Sequence, residues 1–266
     1  MQPDTLKITI LGSGTSTGIP VVGCRCPVCL SQHPQNQRTR CSALISYNGH
    51  NILIDTATDL RLQALREDIR HIDAVFYTHS HADHLHGIDD LRGFNLSSQK
   101  AIPLYGSQQT LNRIRTSFSY IFDKSEPATY IPRLTLHPIE TTVELFGLSI
   151  QPIAMKHGLM PTLGYRCGPL AYLTDCNSIT PSSMNLLHNL ELLILDGLRF
   201  TEHSTHFNIP QAIEVARQIG AKQTLLTHLS HEVDHQLHDQ ELPAGINLAY
   251  DGQQFSFLHP RQQVQP

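Results

Sequence analysis

With 266 residues, 40% of them hydrophobic and 16% charged, the chain has enough apolar side chains for the core of one large α/β domain or two small ones, and nothing in it marks a linker. A formal net charge of −4 argues against a general polyanion-binding surface. No apolar run approaches the roughly 20 residues of a membrane-crossing helix, and the opening Met1-Gln2-Pro3-Asp4 lacks the basic and apolar regions of a signal peptide, so the cytoplasm is the expected location.

The first predicted strand, over residues 6–11, runs into the turn Gly12-Ser13-Gly14-Thr15-Ser16-Thr17-Gly18. That turn lacks the Lys-Ser/Thr ending of a P-loop and the G-x-G-x-x-G spacing, which leaves a tight turn that lets backbone approach a site. The loop over 21–41 carries Cys24-Arg25-Cys26-Pro27-Val28-Cys29. Three thiols at this spacing can wrap one tetrahedral ion but need a fourth ligand. Without an export signal, such a cluster points to metal or redox chemistry rather than to disulfides.

Strands over 42–47 and 51–55 flank Asn48-Gly49, a hairpin signal, and a helix is predicted over 59–69. A strand over 73–78 then leads into His79-Ser80-His81-Ala82-Asp83-His84. Three imidazoles and a carboxylate in six residues at a strand end are the ligand chemistry of zinc, manganese or iron. The segment 87–100 reads as a loop, followed by a helix over 107–117 and strands over 134–139, 148–154, 163–167 and 171–174. A short helix after Pro181 and strands over 192–196, 224–227 and 254–258 complete the pattern, with a polar, frayed tail over 260–266. The clearest helix covers 209–219: Asn208 and Gln211 resemble a capping box, Pro210 sits in the first turn, and Gly220 can end it. Strand hairpins with helices on the outer faces imply two packed sheets.

A single loop rarely supplies all ligands of a two-metal site, so other strands should also end in donors. They do: His157 follows the strand ending at 154, Asp175 ends 171–174, and His228 ends 224–227. Asp55 ends another, where it reads either as a brace for the histidine loop or as a helix cap. His231, three residues past His228, is the candidate fourth ligand for Cys24, Cys26 and Cys29 in a closed Cys3His zinc site, which has no open position for substrate. Cys41, Cys167 and Cys176 stand alone and read as small core residues.

The intact His-x-His-x-Asp-His motif, together with these strand ends, resembles the metallo-β-lactamase fold superfamily over nearly the whole chain. That resemblance implies a single domain over 1–266, an α/β, four-layer αββα sandwich. It further implies that His79, His81 and His157 hold one metal, Asp83, His84 and His228 the other, and that Asp175 bridges them. Asp175 in place of a cysteine favours hard metals and phosphoester chemistry. The pairing of Cys-x-Cys-x-x-Cys with Thr227-His228-Leu229-Ser230-His231 resembles, more narrowly, the phosphoribosyl cyclic phosphate phosphodiesterase family of bacterial phosphonate breakdown.

The implied activity is hydrolysis of small cyclic phosphates, phosphoribosyl or nucleotide-like, or related diesters, by a hydroxide shared between two divalent ions, manganese or zinc, beside one structural zinc. Asp83 and His206 are the implied catalytic residues. His206, in His203-Ser204-Thr205-His206, best matches the family's histidine near the leaving group, with His203 its rival. The implied partner is a small phosphodiester, not a membrane or an extended nucleic acid, and relatives of this fold often form homodimers. An RNA-processing nuclease of the same fold is disfavoured by the net charge and by the lack of a long basic insertion. A cofactor-pathway protein with an altered site is disfavoured by the complete ligand set. The segments 87–100 and 199–208 are expected to decide which ester is used.

Overall fold

The computed structural model describes residues 4–123 and 131–259, so the tail over 260–266 lies outside the described residues. Apolar alternation builds two sheets. β1 (Asp4–Gly12), β2 (Ser42–Tyr47), β3 (His50–Ile54), β4 (Ala74–Phe76), β5 (Ile102–Gly106) and β6 (Leu134–Pro138) belong to the first. β7 (Val143–Leu145), β8 (Leu148–His157), β9 (Met160–Cys167), β10 (Leu170–Leu173), β11 (Ser178–Ile179), β12 (Leu192–Asp196), β13 (Gln223–Thr227) and β14 (Ile246–Leu248) form the second. β15 (Gln254–His259) returns to pair antiparallel with β1. Each sheet has an antiparallel half and a parallel half: β3 to β6 run parallel in one, and β10, β12, β13 and β14 in the other.

Because side chains alternate across a strand, each sheet buries two faces. Ile52, Ile54, Ala74 and Phe76 meet Tyr165, Tyr172, Leu192 and Ile194 between the sheets. Leu53 and Val75 turn outward to Leu60, Leu91, Leu111 and Ile114. These come from α2 (Leu60–Arg66), α4 (Leu91–Ser98) and α5 (Gln108–Ser117), which cover the first sheet. On the second sheet, Leu193, Leu195 and Leu226 meet Ile209, Ala212, Ala216 and Ile219 of α8 (Ile209–Ile219). The stack is the expected four-layer αββα sandwich. Shorter helices are α1 (Pro27–Leu30), α3 (Ala82–Leu85), α6 (Ser119–Phe122), α7 (Pro181–Met184) and α9 (His235–His238).

Several local expectations hold in detail. Asn48 and Gly49 take φ of 52° and 79°, the left-handed pair of a tight hairpin turn between β2 and β3. Asn208 and Gln211 form the reciprocal capping box, and Gly220 ends α8 at φ 70°. The segment 87–100 is not a loop: a 3-10 turn over Ile88–Asp90 runs into α4, whose buried Leu91 anchors it despite Gly93, Asn95 and the serines at its end. The 21–41 loop likewise contains α1 and a 3-10 turn over Pro34–Asn36. β5 escapes a sequence reading because Pro103 interrupts its apolar run, and β14 because it has three residues.

Removing the cap tests how α8 fixes the loop before it. Asn208→Ala should lower the free energy of unfolding by about 1 kcal/mol, read as a lower urea midpoint; an unchanged midpoint would show that the capping box carries no load.

Candidate metal centre

The expected ligands come from strands of both sheets and converge at one edge of the sandwich. After β4 the chain turns through Thr78 and His79, and His81 caps the single turn of α3, which places Asp83 and His84. His157 is the last residue of β8; Asp175 and His228 follow β10 and β13. Ligand-type atoms of His79, His81, His157 and Asp175 lie within 4.8 Å of one another, and so do those of Asp83, His84, Asp175 and His228. Asp175 belongs to both groups, as the bridging position requires. The backbone is strained around it: Asp55, Asp175 and His228 take φ of 60°, 57° and 60°, the left-handed region that costs a non-glycine residue about 1 kcal/mol or more.

Hydrogen bonds then orient the imidazoles. Buried Asp55 accepts from the Thr78 N–H and hydroxyl, both at 2.8 Å, and from His84 Nδ1–H at 2.7 Å. His79 Nδ1 meets the Thr78 hydroxyl at 3.0 Å, and His157 Nδ1–H donates to the Thr205 carbonyl at 2.7 Å. Asp55 is therefore the brace, not a helix cap. With Nδ1 engaged in His79, His84 and His157, Nε2 is the atom left to face a cation; the Nε2 atoms of His79, His84 and His228 are buried without a hydrogen-bond partner, as is His228 Nδ1. A buried polar atom left unpaired costs on the order of 1–3 kcal/mol, so three of them beside one carboxylate fit a cation, not an empty core.

Charge distribution agrees. Burial first, then His84, pushes His79 well below its ordinary pKa, and burial lowers His81 and His157, so these rings are neutral donors. His84 goes the other way: burial opposes its charge, but Asp175, Asp83 and Asp55 raise it well above the usual value. Burial would raise Asp175, yet His228 and His84 hold it well below the carboxylate range, and His84 does the same for Asp83. The carboxylates thus favour the charged form of His84, and, against burial, Asp175 raises His228 in the same direction.

A second group joins distant parts of the chain. His231 Nδ1 lies 3.3, 3.5 and 3.6 Å from the sulfurs of Cys24, Cys26 and Cys29. Tetrahedral zinc with Zn–S of about 2.3 Å and Zn–N of about 2.0 Å would set S···N edges of about 3.5 Å, so the four atoms have the size of a zinc cage. Cys26 caps α1, and the Cys29 backbone N–H is the main cause lowering its thiol to about 7, while burial raises Cys29 to about 11. The glycine-rich turn grips the same late segment: Thr15 N–H donates to the Leu229 carbonyl at 3.0 Å, and Leu229 N–H to the Ser13 carbonyl at 2.9 Å. On its other side the turn lies against the end of the cysteine loop: at Gly12 a Cβ would stand 2.0 Å from the Arg40 carbonyl oxygen, so that approach needs glycine. Cys41, Cys167 and Cys176 are buried, as small core residues should be.

His206 is buried beside the ligands, its ring 4.4 Å from that of His157 and stacked 4.6 Å from that of His228. Its Nδ1–H donates to Asp196 Oδ2 at 2.7 Å, and the same oxygen accepts the Cys176 N–H at 2.7 Å. His203 is exposed, its ring 5.1 Å from that of His206. Sequence reasoning gave Thr78, Asp196 and Thr205 no role. Asp196 ends an apolar strand as Asp175 does, so the rule that found the ligands could also have found it; Thr205 acts through its carbonyl, for which side-chain identity carries no signal.

Residues 50–229 match the family model described as a beta-lactamase superfamily domain. A solved structure described as a new diphosphatase from the PhnP family is 41% identical with a TM-score of 0.90, over 95% of this chain and 97% of that one. An octanoyltransferase of Porphyromonas gingivalis is 40% identical over 251 residues, which is 93% of this chain and 51% of that protein. This chain thus spans about half the length of that relative. Coenzyme PQQ synthesis protein B of Methylobacterium radiotolerans is 26% identical over 228 residues, 72% of this chain and 73% of that protein. With the model matched across both ligand groups and near-complete coverage at 41% identity, the chain belongs to the beta-lactamase superfamily and, within it, to the PhnP family.

Proposed function

We propose that this protein is a divalent-metal-dependent phosphoric diester hydrolase acting on small cyclic phosphates, phosphoribosyl or nucleotide-like, or on related small diesters. The observation that carries the reading is the meeting of two donor groups on the single carboxylate of Asp175. His79, His81 and His157 would hold one ion, Asp83, His84 and His228 the other, with manganese or zinc suited to this nitrogen and oxygen set. Cys24, Cys26, Cys29 and His231 would hold a structural zinc. Two such ions, when bound, supply Lewis acidity at phosphorus and activate water.

The chain's own residues do the rest. Asp55 and Thr78 keep His79 and His84 turned toward the cluster, and Thr205 does the same for His157. Asp196 fixes the ring of His206 so that Nε2 is free to give a proton to the departing oxygen. Its burial between His157 and His228 makes it better placed than exposed His203. Beside its role as a ligand, Asp83 is held ionised by His84, which suits it to orient the attacking water. The PhnP-family relative is described as a diphosphatase; in-line attack on a phosphoanhydride asks for the same groups. An acyl-transfer reading through a thiol, prompted by the octanoyltransferase, lacks support: the three cysteines outside the clip are fully buried.

Metal analysis should find two exchangeable ions and one tightly held zinc per chain, and recovery of a single ion after supplementation would sink the arrangement. Because uptake must displace the proton that the carboxylates hold on His84, ligand affinity and protons compete. Competition with a calibrated chelator should therefore give weaker metal binding as pH falls from 8 to 6 (about two units, with a proton released per site on the order of one); pH-independent binding would contradict a protonated His84. Supplied with manganese, the protein should hydrolyse bis(p-nitrophenyl) phosphate and 2′,3′-cyclic nucleotides; strong lactam or thioester cleavage without diester hydrolysis would overturn the assignment. His206→Ala should cut kcat by about 100-fold or more on a poor leaving group while metal content stays the same, and unchanged kinetics would remove His206 from the reaction.

A further inference from the structure

At three of the strand ends a threonine stands immediately before the donor: Thr78 before His79, Thr174 before Asp175 and Thr227 before His228. All three are buried, Thr174 and Thr227 completely. A hydroxyl withdrawn from water needs a partner, and these three have different ones. That of Thr78 serves Asp55 and His79. That of Thr227 lies 3.4 Å from Cys41 Sγ. That of Thr174 donates to Asp175 Oδ1 at 3.0 Å.

For Asp175 such a bond matters most, because its two oxygens face different donor groups. Oδ1 lies 3.3 Å from Nε2 of both His84 and His228, whereas Oδ2 lies 3.7 Å from Nε2 of His79. The backbone is held on both sides of the residue: the Thr162 hydroxyl donates to the Asp175 carbonyl at 3.2 Å, and the Cys176 N–H donates to Asp196 Oδ2 at 2.7 Å. What this leaves free is the last torsion of the side chain, which in aspartate has a broad, roughly two-fold preference. Rotation about that bond would carry each oxygen away from the group it faces. The hydroxyl of Thr174, on Oδ1, opposes that rotation.

We propose that Thr174 is a positioning residue: it fixes the rotation of the Asp175 carboxylate and thereby couples the two metal positions. The proposal rests on the reading of Asp175 as the bridge. With one ion bound, either oxygen can turn toward it, so a free rotation costs little. A pair requires both oxygens in place at once, one toward His79 and the other toward His84 and His228, and the effect of a fixed carboxylate therefore falls on the second ion. Hydrogen-bonding partners of ligating groups typically change metal affinity by about 10- to 100-fold. The stability of the pair, more than the hold on either ion alone, thus depends on a hydroxyl outside the ligand set.

The protein carrying zinc in its cysteine clip and no other metal can be titrated with manganese. Competition with a chelator resolves the two steps, and electron paramagnetic resonance distinguishes a spin-coupled pair from isolated Mn2+. Thr174→Val removes the hydroxyl at similar size. It should weaken the second step by about tenfold or more, leave the first near the wild-type value, and diminish the coupled signal. Thr174→Ser keeps the hydroxyl and should restore both. Thr227→Val removes an equally buried hydroxyl one residue before His228 and should leave both steps near wild type. Should valine at 174 prevent folding, Thr174→Ala carries the same comparison. An unchanged second step without the Thr174 hydroxyl, an equal loss in Thr227→Val, or a serine variant as weak as valine would overturn the positioning role. Wild-type protein that takes up a single manganese and never shows the coupled signal would instead refute the bridged pair itself.

Discussion

Three carboxylates, those of Asp55, Asp83 and Asp175, sit at or near full burial around His84, and the rest of the structure is organised by the need to balance them. A carboxylate withdrawn from water is tolerated only when paired and hydrogen-bonded. Asp55 meets the condition within the protein, through Thr78 and His84. Asp175 and Asp83 meet it only in part: Asp175 accepts from the Thr174 hydroxyl at 3.0 Å, while the facing imidazole nitrogens lie at 3.3 to 3.7 Å, too far for good hydrogen bonds and spaced as ligands around a cation would be. The same carboxylates favour a proton on His84, so protons and a cation would compete for this cluster.

The two half-parallel sheets explain why the donors can meet. Parallel strands end on the same side, so the C-terminal ends of β4, β10, β12 and β13 place the His79 loop, Asp175, Asp196 and His228 at one edge. The antiparallel halves supply hairpins, and β8 runs to that edge to deliver His157. Left-handed backbone at Asp55, Asp175 and His228 shows where side-chain aim prevailed over local preference. Such strain persists only where surroundings fix the conformation. Around His228 they do so from two sides, because the glycine-rich turn pairs with Leu229 and the cysteine clip reaches His231.

What was legible in the sequence was local chemistry with a steep energetic preference. Asn48-Gly49 fixes a turn that few residue pairs adopt, Asn208 with Gln211 satisfies donors at a helix start, and apolar strands that stop at Asp or His stand out against their own composition. The helix α4 was obscured because Gly93, Asn95 and the serines are poor helix formers, and tertiary contacts of Leu91, Phe94 and the buried Asn95 outweigh that preference. β5 was hidden by Pro103. Asp196 carries only the strand-end signal it shares with Asp175, whereas the role of Thr205 depends on which segments the fold brings together, and no spacing rule contains that information.

A consequence is a division of labour between the ligand cluster and its surroundings. The donor groups sit at strand ends or on the short helix α3 and all but His81 are buried, so substituting them would disturb the charge balance of the cluster. His206 differs: it stacks on His228 yet its hydrogen bond goes to Asp196, whose same oxygen holds the backbone next to Asp175. One carboxylate thereby holds the ring of His206 and the backbone after Asp175 in a single arrangement. The hairpin tip at Gly158-Leu159 is one step further out, tied by Asn177 to the segment before His206, with Leu159 exposed. A side chain there carries no charge toward the buried carboxylates and packs against nothing, so that position is uncoupled from the balance that constrains Asp55, Asp83 and Asp175.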